Sequence, residues 1–552
     1  MVKELHLHSI LSDEETENLR GTYLDNSHFN FLIDEDTDVY DKETGNLLFK
    51  FRKKRFNETL CELGFSGFKD LAKASRGRGA SAGPIDPNSV YWKKRKLVKV
   101  NKWSANYEVK GKVSKMKVNN EVASNPIGFY GSTKNLGCNL PCRLSHYTRA
   151  NFYKYREGLP FIEEISKSYQ ELNPEEFNKQ MDRANEKPDF KIEDTPFSTI
   201  TINRNFRTAV HTDSGDWGFG NLSVLERGKY HGGYFVLPKW KIAVDMRSGD
   251  HLCVDVHQFH GNTELYETEE DKEYNDQLED IFQDNLEVGV LGLNNRFCRL
   301  SFVCYLRENI INCSDDNSNN PYLTPDLSDK AIKTFYINLR NASDRRKKFE
   351  KTKFFRWEAT TREEVSQEFK DRMVSYWNVP ESQHLAKCAC YQSHLSLLRE
   401  IVKNKLNNVL ILEDDAVQME KIPTISKYNQ DGITYLGGFF GNKKITSKEP
   451  IEIKHKKGMN ELDTSKYRIF MTMSYFIPKW ELARSLLLTL ENRTQRPRAI
   501  DIDYGNVMEK VYYHYPAIFV EEQGGLSTIR GKQTKFADKF YNWATRKKIN
   551  SN

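Results

Sequence analysis

The sequence predicts two domains: a double-stranded β-helix, or jelly-roll barrel, with flanking helices, followed by an α/β Rossmann-like domain. Three observations lead to this prediction. The chain has 552 residues, which exceeds what one hydrophobic core usually organises. Its first half carries short β-branched strands around two histidine-containing segments, as a barrel of this kind requires. Its second half starts again with an apolar strand and continues in strand–helix–strand order, which is typical of a Rossmann-like sheet.

The overall composition is that of a soluble globular protein. Hydrophobic residues make up 38% of the chain, and the formal net charge of +6 is too mild to indicate a nucleic-acid partner by itself. No window approaches the roughly eighteen apolar residues of a membrane-spanning helix, and the N-terminus lacks a signal-peptide pattern. We therefore expect a soluble intracellular protein of the cytoplasm or nucleus, with a virus- or phage-encoded origin as one option.

The nine cysteines show no evident disulfide framework. Several of them fall in predicted core strands, as free thiols do in a reducing compartment. Cys138 and Cys142 have the spacing of half a zinc site, but no second pair with a suitable spacing follows. We expect no disulfides, and a structural zinc site is the alternative.

Two segments of the first half predict a mononuclear non-haem iron site. They are TINRNFRTAVHTD, which contains His211 and Asp213, and VDVHQFHGN, which contains His257 and His260. Two imidazoles and one carboxylate occupy one face of Fe(II) and leave the opposite positions open for a co-substrate and dioxygen. The residues themselves leave the second histidine open between His257 and His260.

Predicted strands surround both segments, and each segment lies at a strand end near the mouth of the barrel. These strands are expected at Thr199–Asn203, Gly232–Val236, Lys241–Val244 and Asp250–His260.

A further strand, RFCRLSFVCYLR at 296–307, carries an arginine toward the barrel interior. Alternation places Arg299, Ser301, Val303 and Tyr305 on one face, and Cys298, Leu300, Phe302 and Cys304 on the other. An arginine inside an apolar barrel needs an anion, and a bidentate guanidinium with a hydroxyl two residues on suits the distal carboxylate of 2-oxoglutarate. Asn203 is assigned to the same co-substrate site. The alternative is an edge strand whose arginine faces solvent.

These residues resemble the TET/JBP family of 2-oxoglutarate- and iron-dependent nucleic-acid oxygenases. The resemblance is carried by TINRNFRTAVHTDSGD, GFGNLSVLERGKYHGGYFVLP, VDVHQFHGNT and RLSFVCYLR, and extends upstream through CRLSHYTRANF to RGRGASAG. It implies iron ligation by His211, Asp213 and His260, because the family's second histidine precedes a small residue and Asn. It also implies 2-oxoglutarate binding by Arg299. The chain departs from the family in an acidic stretch at 267–284, interpreted as a solvated helix in a surface insertion.

A basic stretch precedes the iron-site segments. Residues 92–118 contain ten Lys or Arg against one acid, interleaved with Trp92, Trp103 and Tyr107. Cations neutralise phosphates and aromatic rings offer stacking faces, so the stretch is a candidate DNA-contacting surface. Amphipathic strands with lysines in water are the equal alternative. RGRGASAG at 76–83 is expected to be a flexible loop. It either closes over a polyanion or only connects the segments on either side of it.

Residues 152–184 have apolar spacing typical of helices, broken by Pro160 and Pro174. These helices are expected to buttress the barrel. The polar, turn-rich stretch 312–330 is expected to be an interdomain linker, so the first domain should span 1–311.

The second half places three acids at the carboxyl end of an apolar strand. In NVLILEDDA these are Glu413, Asp414 and Asp415, which offer hard oxygen ligands for Mg²⁺ or Mn²⁺. Such an ion neutralises the diphosphate of a nucleotide-sugar as it leaves. The alternative is a cluster of acids that caps a helix.

The motifs of this half resemble family 25 glycosyltransferases, which include lipopolysaccharide and collagen glycosyltransferases. YINLRNASDRRKKF, CACYQSH, LILEDDA, MSYFIP, DIDYG and YPAIFVEEQGGLSTI occur in the family's order. The resemblance covers about 331–535, implies a GT-A-type fold, and leaves a basic C-terminal tail at 536–552. It implies that Glu413 and Asp415 bind the divalent cation, and that Asp414 and Asp415 act in catalysis with a UDP-sugar donor.

The same resemblance implies a donor pocket and an acceptor-side acid. Asp501 or Asp503 is the acceptor-side candidate. The donor-pocket residues are Asn338, Arg340, Arg345 and His394.

Together, the two resemblances imply a bifunctional DNA hypermodification enzyme. The first domain would hydroxylate the 5-methyl group of 5-methylcytosine or thymine in DNA, and the second would add a sugar to the new hydroxyl. A protein hydroxylase–glycosyltransferase of the collagen-lysine type is the first alternative, opposed by the missing secretory signal and disulfides. A catalytically inactive DNA-binding protein is the second, opposed by the intact iron and 2-oxoglutarate residues.

Overall fold

The computed structural model describes residues 2–114, 116–135, 138–282, 297–327, 330–374, 379–444 and 451–522. The chain divides into two compact units, Met1–Asp326 and Leu327–Asn552. The predicted basic tail at 536–552 lies outside the described residues. In the described part of the chain, no helix has both the length and the apolar character needed to cross a bilayer.

The first unit is built mainly of short strands. They are β1 (Lys3–Leu7), β2 (Phe31–Ile33), β3 (Thr37–Asp41), β4 (Leu47–Arg52), β5 (Ala74–Ser75), β6 (Lys96–Val100), β7 (Ala105–Val109), β8 (Lys112–Val113), β9 (Val122–Tyr130), β10 (Thr133–Asn135), β11 (Cys138–Leu140), β12 (Arg143–Leu144), β13 (Thr199–Arg204), β14 (Asp216–Arg227), β15 (His231–Gly232), β16 (Phe235–Leu237), β17 (Ile242–Val244), β18 (His251–Val254), β19 (Gly261–Asn262), β20 (Leu265–Tyr266) and β21 (Cys298–Arg307). Its helices are α1 (Asp13–Asn18), α2 (Glu58–Phe68), α3 (Val90–Lys93), α4 (His146–Ala150), α5 (Phe152–Leu172), α6 (Pro174–Asn185) and α7 (Glu269–Asp276).

Two sheets form the barrel of the first unit. The large sheet has the order β1-β3-β4-β18-β14-β21-β13-β9-β12, with β5 beside β9, and the small sheet has the order β19-β16-β17-β2. Apolar side chains of both sheets pack into one core, in which Phe49 and Val224 of the large sheet meet Phe235 and Ile242 of the small one. These two facing sheets form the barrel that the sequence predicts for this half.

Helices cover the other face of the large sheet, as the sequence predicts. α2 and α5 cross where Gly67 and Gly158 meet, and a Cβ at Gly67 would lie 2.5 Å from the backbone nitrogen of Gly158. Phe161 and Ile165 of α5 pack with Phe302 of β21 in the second core of this unit. Burial of this face stabilises the helices and fixes the position of the sheet beneath them.

The predicted helix break at Pro160 is wrong. α5 runs through Pro160 for 21 residues, because packing against α2 and the sheet outweighs the one backbone hydrogen bond that proline removes. Pro174 instead occupies the first turn of α6, where a missing N–H costs nothing.

The acidic stretch is only partly a solvated helix. α7 starts with a capping box between Thr268 and Asp271, and its acids face outward apart from Asp271. Ile281 and Phe282, by contrast, are buried in the core, and the Arg204 guanidinium lies 3.5 Å from the Phe282 ring centroid. The prediction of a wholly solvated insertion is therefore wrong at 281–282.

The expectation of no disulfide is also wrong. Cys142 and Cys313 form a disulfide, which attaches the start of the predicted linker to the first unit. Asn320 donates to the Cys142 carbonyl at 2.8 Å, and the Asp326 amide donates to the Arg149 carbonyl at 3.1 Å. The first unit thus continues to Asp326 rather than ending at 311. Because Cys142 is bonded to Cys313, it cannot bind zinc, and the alternative of a structural zinc site is excluded for it.

The basic stretch forms a small three-stranded sheet, β6-β7-β8. Its first aromatic residue is not available for stacking, because Trp92 is 1% exposed and donates its Nε1–H to Asn120 at 2.7 Å. Trp92 therefore belongs to the core of this sheet, whereas the lysines around it face solvent.

The second unit is an α/β unit around one mixed sheet. Its strands are β22 (Lys333–Asn338), β23 (Phe355–Glu358), β24 (Val409–Glu413), β25 (Ala416–Gln418), β26 (Ile433–Tyr435), β27 (Phe439–Asn442), β28 (Gly458–Glu461), β29 (Tyr467–Phe470), β30 (Ser474–Ile477), β31 (Val511–Tyr515) and β32 (Phe519–Glu521). Its helices are α8 (Ser343–Lys347), α9 (Gln367–Arg372), α10 (Glu381–Lys403), α11 (Trp480–Glu491) and α12 (Ile500–Val507).

The main sheet of the second unit has the order β23-β22-β24-β30-β26-β31-β28. β22 is parallel to both β23 and β24, and β26 is parallel to β31, whereas β30 and β28 run antiparallel to their neighbours. The carboxyl ends of β22 and β24 therefore lie side by side, and this brings Asn338 next to the acids that follow Leu412.

Candidate functional site

His211, Asp213 and His260 converge in the barrel. His211 Nε2 lies 3.7 Å from Asp213 Oδ1, and His260 Nε2 lies 3.7 Å from Asp213 Oδ2. One nitrogen of each ring and one carboxylate oxygen are close enough for a single ion to contact all three. Two imidazoles and one carboxylate on one side of an ion are the ligand set of non-haem Fe(II) oxygenases.

Backbone carbonyl groups hold both imidazole rings in the tautomer that can bind a metal ion through Nε2. The Nδ1 atoms of His211 and His260 lie 2.8 Å and 2.9 Å from the carbonyl oxygens of Ala209 and Gln258. A carbonyl only accepts, so each Nδ1 carries the proton and each Nε2 keeps its lone pair. Burial, and then the neighbouring His260, lowers the pKa of His211 to about 4, which keeps this imidazole neutral and able to bind a cation.

Backbone pairing brings the two ligand segments together. The amide of His211 donates to the carbonyl of His260 at 2.9 Å, and the reverse bond measures 3.0 Å. The strand predicted at Asp250–His260 ends at Val254 instead. A turn follows, whose Val256 carbonyl accepts from the Asp213 amide at 3.0 Å, so the turn is what places the carboxylate beside the rings.

His257 stands apart from this cluster. Its Nδ1 lies 3.0 Å from Asp255 Oδ1, its Nε2 lies 3.1 Å from the Asp216 carbonyl oxygen, and its side chain is about half exposed. The geometry therefore favours His260 as the second histidine ligand.

The three residues open into a cavity of about 300 Å³. Every member of the predicted inward face of β21 lines it, and the opposite face of β21 is in the core, as strand alternation requires. The lining includes Arg78, Ser81, Asn203, Asp216, Phe235, Arg299, Ser301, Val303, Tyr305 and Arg307.

Arg299 is positioned to bind an anion within this cavity. It is 4% exposed, and its Nε has no hydrogen-bond partner among the described residues. A buried guanidinium N–H without a partner is costly, and a carboxylate would satisfy it. Asn203 Nδ2 donates to Ser301 Oγ at 3.2 Å, so these two predicted residues support one another at the cavity wall.

The sequence-based prediction missed two further cavity cations and one acid. Arg307 continues the alternation of β21 and could have been found from it, whereas Arg78 comes from the RGRGASAG segment, more than a hundred residues upstream. Burial, and then the Asp213 carboxylate, raises the pKa of Asp216 to about 8. No local signal in the sequence separates Asp216 from an ordinary surface acid.

In the second unit, Asp414 is held by two of the predicted donor-pocket residues. Asn338 Nδ2 donates to its Oδ2 at 2.8 Å, and Arg345 donates to its Oδ1 at 2.6 Å. Arg340 lies elsewhere, half-exposed and paired with Glu358. The structure therefore brings together Asn338, Arg345 and Asp414, but not Arg340.

The remaining acids of this region differ in their surroundings. Burial, and then Glu413 and Asp414, raise the pKa of Asp415 to about 8, as expected where buried carboxylates lie close together. Burial also raises the pKa of Asp501, whose Oδ2 accepts from the Met471 amide. Asp503 is 1% exposed and bound by Arg493, so it is engaged in a structural ion pair and Asp501 is the better acceptor-side candidate.

Comparison with known proteins gives the same division of the chain. Residues 127–308 match the Tet/JBP profile, described as the oxygenase domain of the 2OGFeDO superfamily, and residues 331–504 match glycosyltransferase family 25 (LPS biosynthesis protein). The first half of the chain is therefore similar to the Tet/JBP oxygenase domain and the second half to family 25 glycosyltransferases, and these two regions are called the oxygenase domain and the glycosyltransferase domain below.

Curated relatives match about a quarter of the chain. "Bifunctional helicase and thymine dioxygenase JBP2" of Leishmania infantum is 36% identical over 145 residues, covering 26% of this chain and 13% of the relative. "Thymine dioxygenase JBP1-A" of Trypanosoma cruzi is 40% identical over 128 residues, covering 23% of this chain and 15% of the relative. The chain thus spans only a small part of the length of these relatives.

One solved structure, NgTET1 in complex with 5mC DNA, matches 50% of this chain and 78% of that protein at 11% identity, with a TM-score of 0.29.

The two candidate histidines of the oxygenase domain can be separated by metal binding. We expect His260→Ala to weaken Fe(II) or Co²⁺ binding by more than about 100-fold, because even residues that only orient a metal ligand contribute about 10- to 100-fold. His257→Ala is the matched control and should bind the ion as the unsubstituted chain does. Titration followed by the visible absorption of bound Co²⁺ measures both, and the reverse ranking would show that His257 is the ligand.

Substitution of the cavity arginine tests its role as the 2-oxoglutarate anchor. We expect Arg299→Lys to weaken 2-oxoglutarate binding about tenfold or more, because lysine replaces a planar two-pronged donor by a point charge. Titration calorimetry with the metal-loaded chain measures the affinity, and Arg52→Lys, at an ion pair with Asp38, is the control. If Arg307→Lys weakens binding and Arg299→Lys does not, Arg307 is the anchor.

Proposed function

We propose that this chain hydroxylates the 5-methyl group of a pyrimidine in DNA, either 5-methylcytosine or thymine, and then adds a sugar to the new hydroxyl. The observation that carries the proposal is the cavity in which His211, Asp213 and His260 converge near the buried guanidinium of Arg299. The first step would use Fe(II), 2-oxoglutarate and dioxygen, and the second a nucleotide-sugar such as a UDP-sugar. Each step has its own domain.

Residues of the oxygenase domain have separate tasks in the first step. His211, Asp213 and His260 would hold Fe(II), which supplies, with 2-oxoglutarate and dioxygen, the oxidising power to attack an unreactive methyl C–H bond. Arg299 would bind the distal carboxylate of 2-oxoglutarate and so fix the orientation of the co-substrate. Phe235 and Val303, which also line the cavity, present apolar walls to the base and limit access of water.

The names of the relatives support a pyrimidine in DNA as the substrate. The Leishmania and Trypanosoma proteins that are similar to part of this chain are named thymine dioxygenases, which favours a pyrimidine methyl group in DNA as the target here. A cavity within a barrel cannot reach a base inside a duplex, so the base would have to leave the helical stack to enter it.

The small β6-β7-β8 sheet is the candidate DNA-contacting surface. Its lysines are exposed, among them Lys99 and Lys112, and Glu108 is neutralised by Lys96 at 2.6 Å. Apolar side chains of the same stretch are exposed as well, with Val98 and Met116 at 50% and 61% exposure. Lysines at a duplex surface neutralise phosphates, and apolar side chains beside them can insert between bases.

The segment 76–84 connects this sheet to the cavity. Arg76 contacts the hydroxyls of Tyr91 and Tyr107 at 3.3 Å, and Asn119 accepts from the Gly79 amide at 3.0 Å. Two residues later, the Ser81 carbonyl accepts from the Ala209 amide, next to the iron ligands. DNA held on the sheet would therefore lie near the rim of the cavity, where Arg78 is available to an extruded nucleotide.

The glycosyltransferase domain would perform the second step in a GT-A-type fold. Glu413 ends β24, and Asp414 and Asp415 follow it at the edge where Asn338 and Arg345 also lie. This edge would hold the divalent cation, Mn²⁺ or Mg²⁺, and the sugar diphosphate. Asp501 is the proposed acceptor-side acid. This order of the two steps is required by chemistry, because a methyl carbon has no lone pair with which to attack a sugar.

Modification of protein remains the second candidate function. The Cys142–Cys313 disulfide removes one of the sequence-based arguments against it. A hydroxylysine peptide is therefore the alternative acceptor against which DNA should be compared.

Charge reversal on the β6-β7-β8 sheet tests the DNA surface. We expect Lys99→Glu with Lys112→Glu to weaken duplex binding and to lower the slope of log affinity against log salt by roughly 1.8, about 0.9 for each phosphate that the chain no longer neutralises. Lys42→Glu with Lys167→Glu changes the same charge at exposed positions elsewhere and should leave the slope unchanged. Equal reductions of this slope in both double variants would show that duplex binding depends only on the net charge of the chain.

Paired variants test the order of the two steps. We expect Asp414→Ala with Asp415→Ala to consume 2-oxoglutarate and accumulate 5-hydroxymethylpyrimidine in DNA, because only the cation and donor site is lost. His211→Ala with Asp213→Ala should be inactive on methylated DNA yet add sugar to DNA that already carries hydroxymethyl bases. Mass spectrometry of nucleosides from both variants on both substrates measures these outcomes. An iron-site variant that fails on hydroxymethylated DNA but modifies the hydroxylysine peptide would establish the second candidate function.

A further inference from the structure

A cysteine, a histidine and a glutamate that could together hold a metal ion lie close together in the glycosyltransferase domain. Cys390 and His394 are four residues apart on α10, so they lie on the same face one helical turn from each other. Glu413 ends the neighbouring strand β24. The thiol sulfur, an imidazole nitrogen and a carboxylate oxygen all lie within 4.8 Å of one another.

The histidine of this cluster has one satisfied nitrogen and one that lacks a partner. His394 is fully buried, and its Nδ1 lies 2.9 Å from the Tyr475 hydroxyl. Its Nε2 faces Glu413 Oε1 at 3.4 Å and has no well-formed hydrogen bond among the described residues. A buried imidazole nitrogen without a well-formed hydrogen bond is unfavourable, and a bound cation would satisfy it.

Hydrogen bonds from neighbouring hydroxyl groups orient Glu413 and His394, as hydrogen bonds around protein metal ions orient the metal ligands. The Thr472 hydroxyl donates to Glu413 Oε1 at 2.6 Å, and the Tyr475 hydroxyl lies 3.2 Å from that of Tyr504. Such supporting hydrogen bonds fix ligand orientation and tautomer before the ion arrives.

The charge around the cluster also favours a cation. The carboxyl groups of Glu413, Asp501, Asp415 and Asp414 all lie near the Cys390 thiol. Arg345 is bound to Asp414 at 2.6 Å and compensates that carboxylate. The other carboxyl groups lie close together in a buried region of low dielectric, where a divalent ion interacts strongly with them.

We propose that Cys390, His394 and Glu413 bind a thiophilic divalent ion of the Zn²⁺ or Co²⁺ class, with the fourth position open. Sulfur and imidazole ligands select such ions, whereas Mg²⁺ prefers oxygen ligands alone. Binding replaces the thiol proton, which is released to solvent, by a metal–sulfur bond. The three residues are sufficient for the binding itself, and only a role of the ion in sugar transfer rests on the proposed function.

Cobalt spectroscopy on the full chain tests this site directly. We expect Co²⁺ to produce a near-ultraviolet thiolate-to-cobalt absorption, which the His211–Asp213–His260 site cannot give because it has no sulfur ligand. Zn²⁺ should displace the Co²⁺ and abolish that absorption, and Mg²⁺ should not. Absence of the absorption from the unsubstituted chain would overturn the proposal.

Matched cysteine variants assign the absorption. Cys390→Ser should abolish it and lower Zn²⁺ affinity at least about tenfold, and His394→Gln should weaken it. Cys388→Ser changes a buried cysteine two residues away, whose Sγ packs on Met373 at 3.1 Å, and should keep the absorption. Retention in Cys390→Ser, with far-ultraviolet circular dichroism confirming the fold of each variant, would place the sulfur ligand elsewhere and refute the site. Because no sugar transfer is measured, these outcomes are independent of the proposed glycosyltransferase activity.

Discussion

The backbone pairing of His211 with His260 is the constraint on which the oxygenase site depends. Two reciprocal hydrogen bonds join residues that are far apart in sequence, and residues directly opposite each other in an antiparallel pair project their side chains to the same face. This is why the two imidazole centroids are only 4.5 Å apart. A slip of one residue in this register would turn one ring out of the cavity, and no adjustment of side-chain rotamers would restore it.

Local periodicity was sufficient to predict the parts of the site that lie on regular strands. The alternation along β21 assigned Arg299 and Ser301 to the interior because side-chain direction in a strand follows from residue parity. The turn after Val254 and the approach of Arg78 could not be predicted in this way. Both depend on tertiary contacts between distant segments, and the Cys142–Cys313 disulfide, with a sequence separation of 171 residues, is a further contact of this kind.

In the glycosyltransferase domain, the sequence indicated which residues are acidic but not which acids have partners. Asp414 and Asp503 are each bound by an arginine, whereas burial among other carboxylates raises the pKa of Asp415. These differences arise from the arginines of α8 and of the segment after α11, whose positions depend on the folded sheet. The same reason explains why Cys390 was predicted only as part of a helix, although it lies beside Glu413.

The disulfide also affects the chain when the oxygenase domain is unfolded. It closes a covalent ring that begins before α4 and ends after β21, and this ring contains all three proposed iron ligands and Arg299. As long as the bond is intact, these four residues cannot separate as far as they would in an open chain, since ring closure removes the most extended conformations. A single cleavage of the backbone in the exposed α7 segment would likewise leave both halves of the ligand set on one covalently connected molecule.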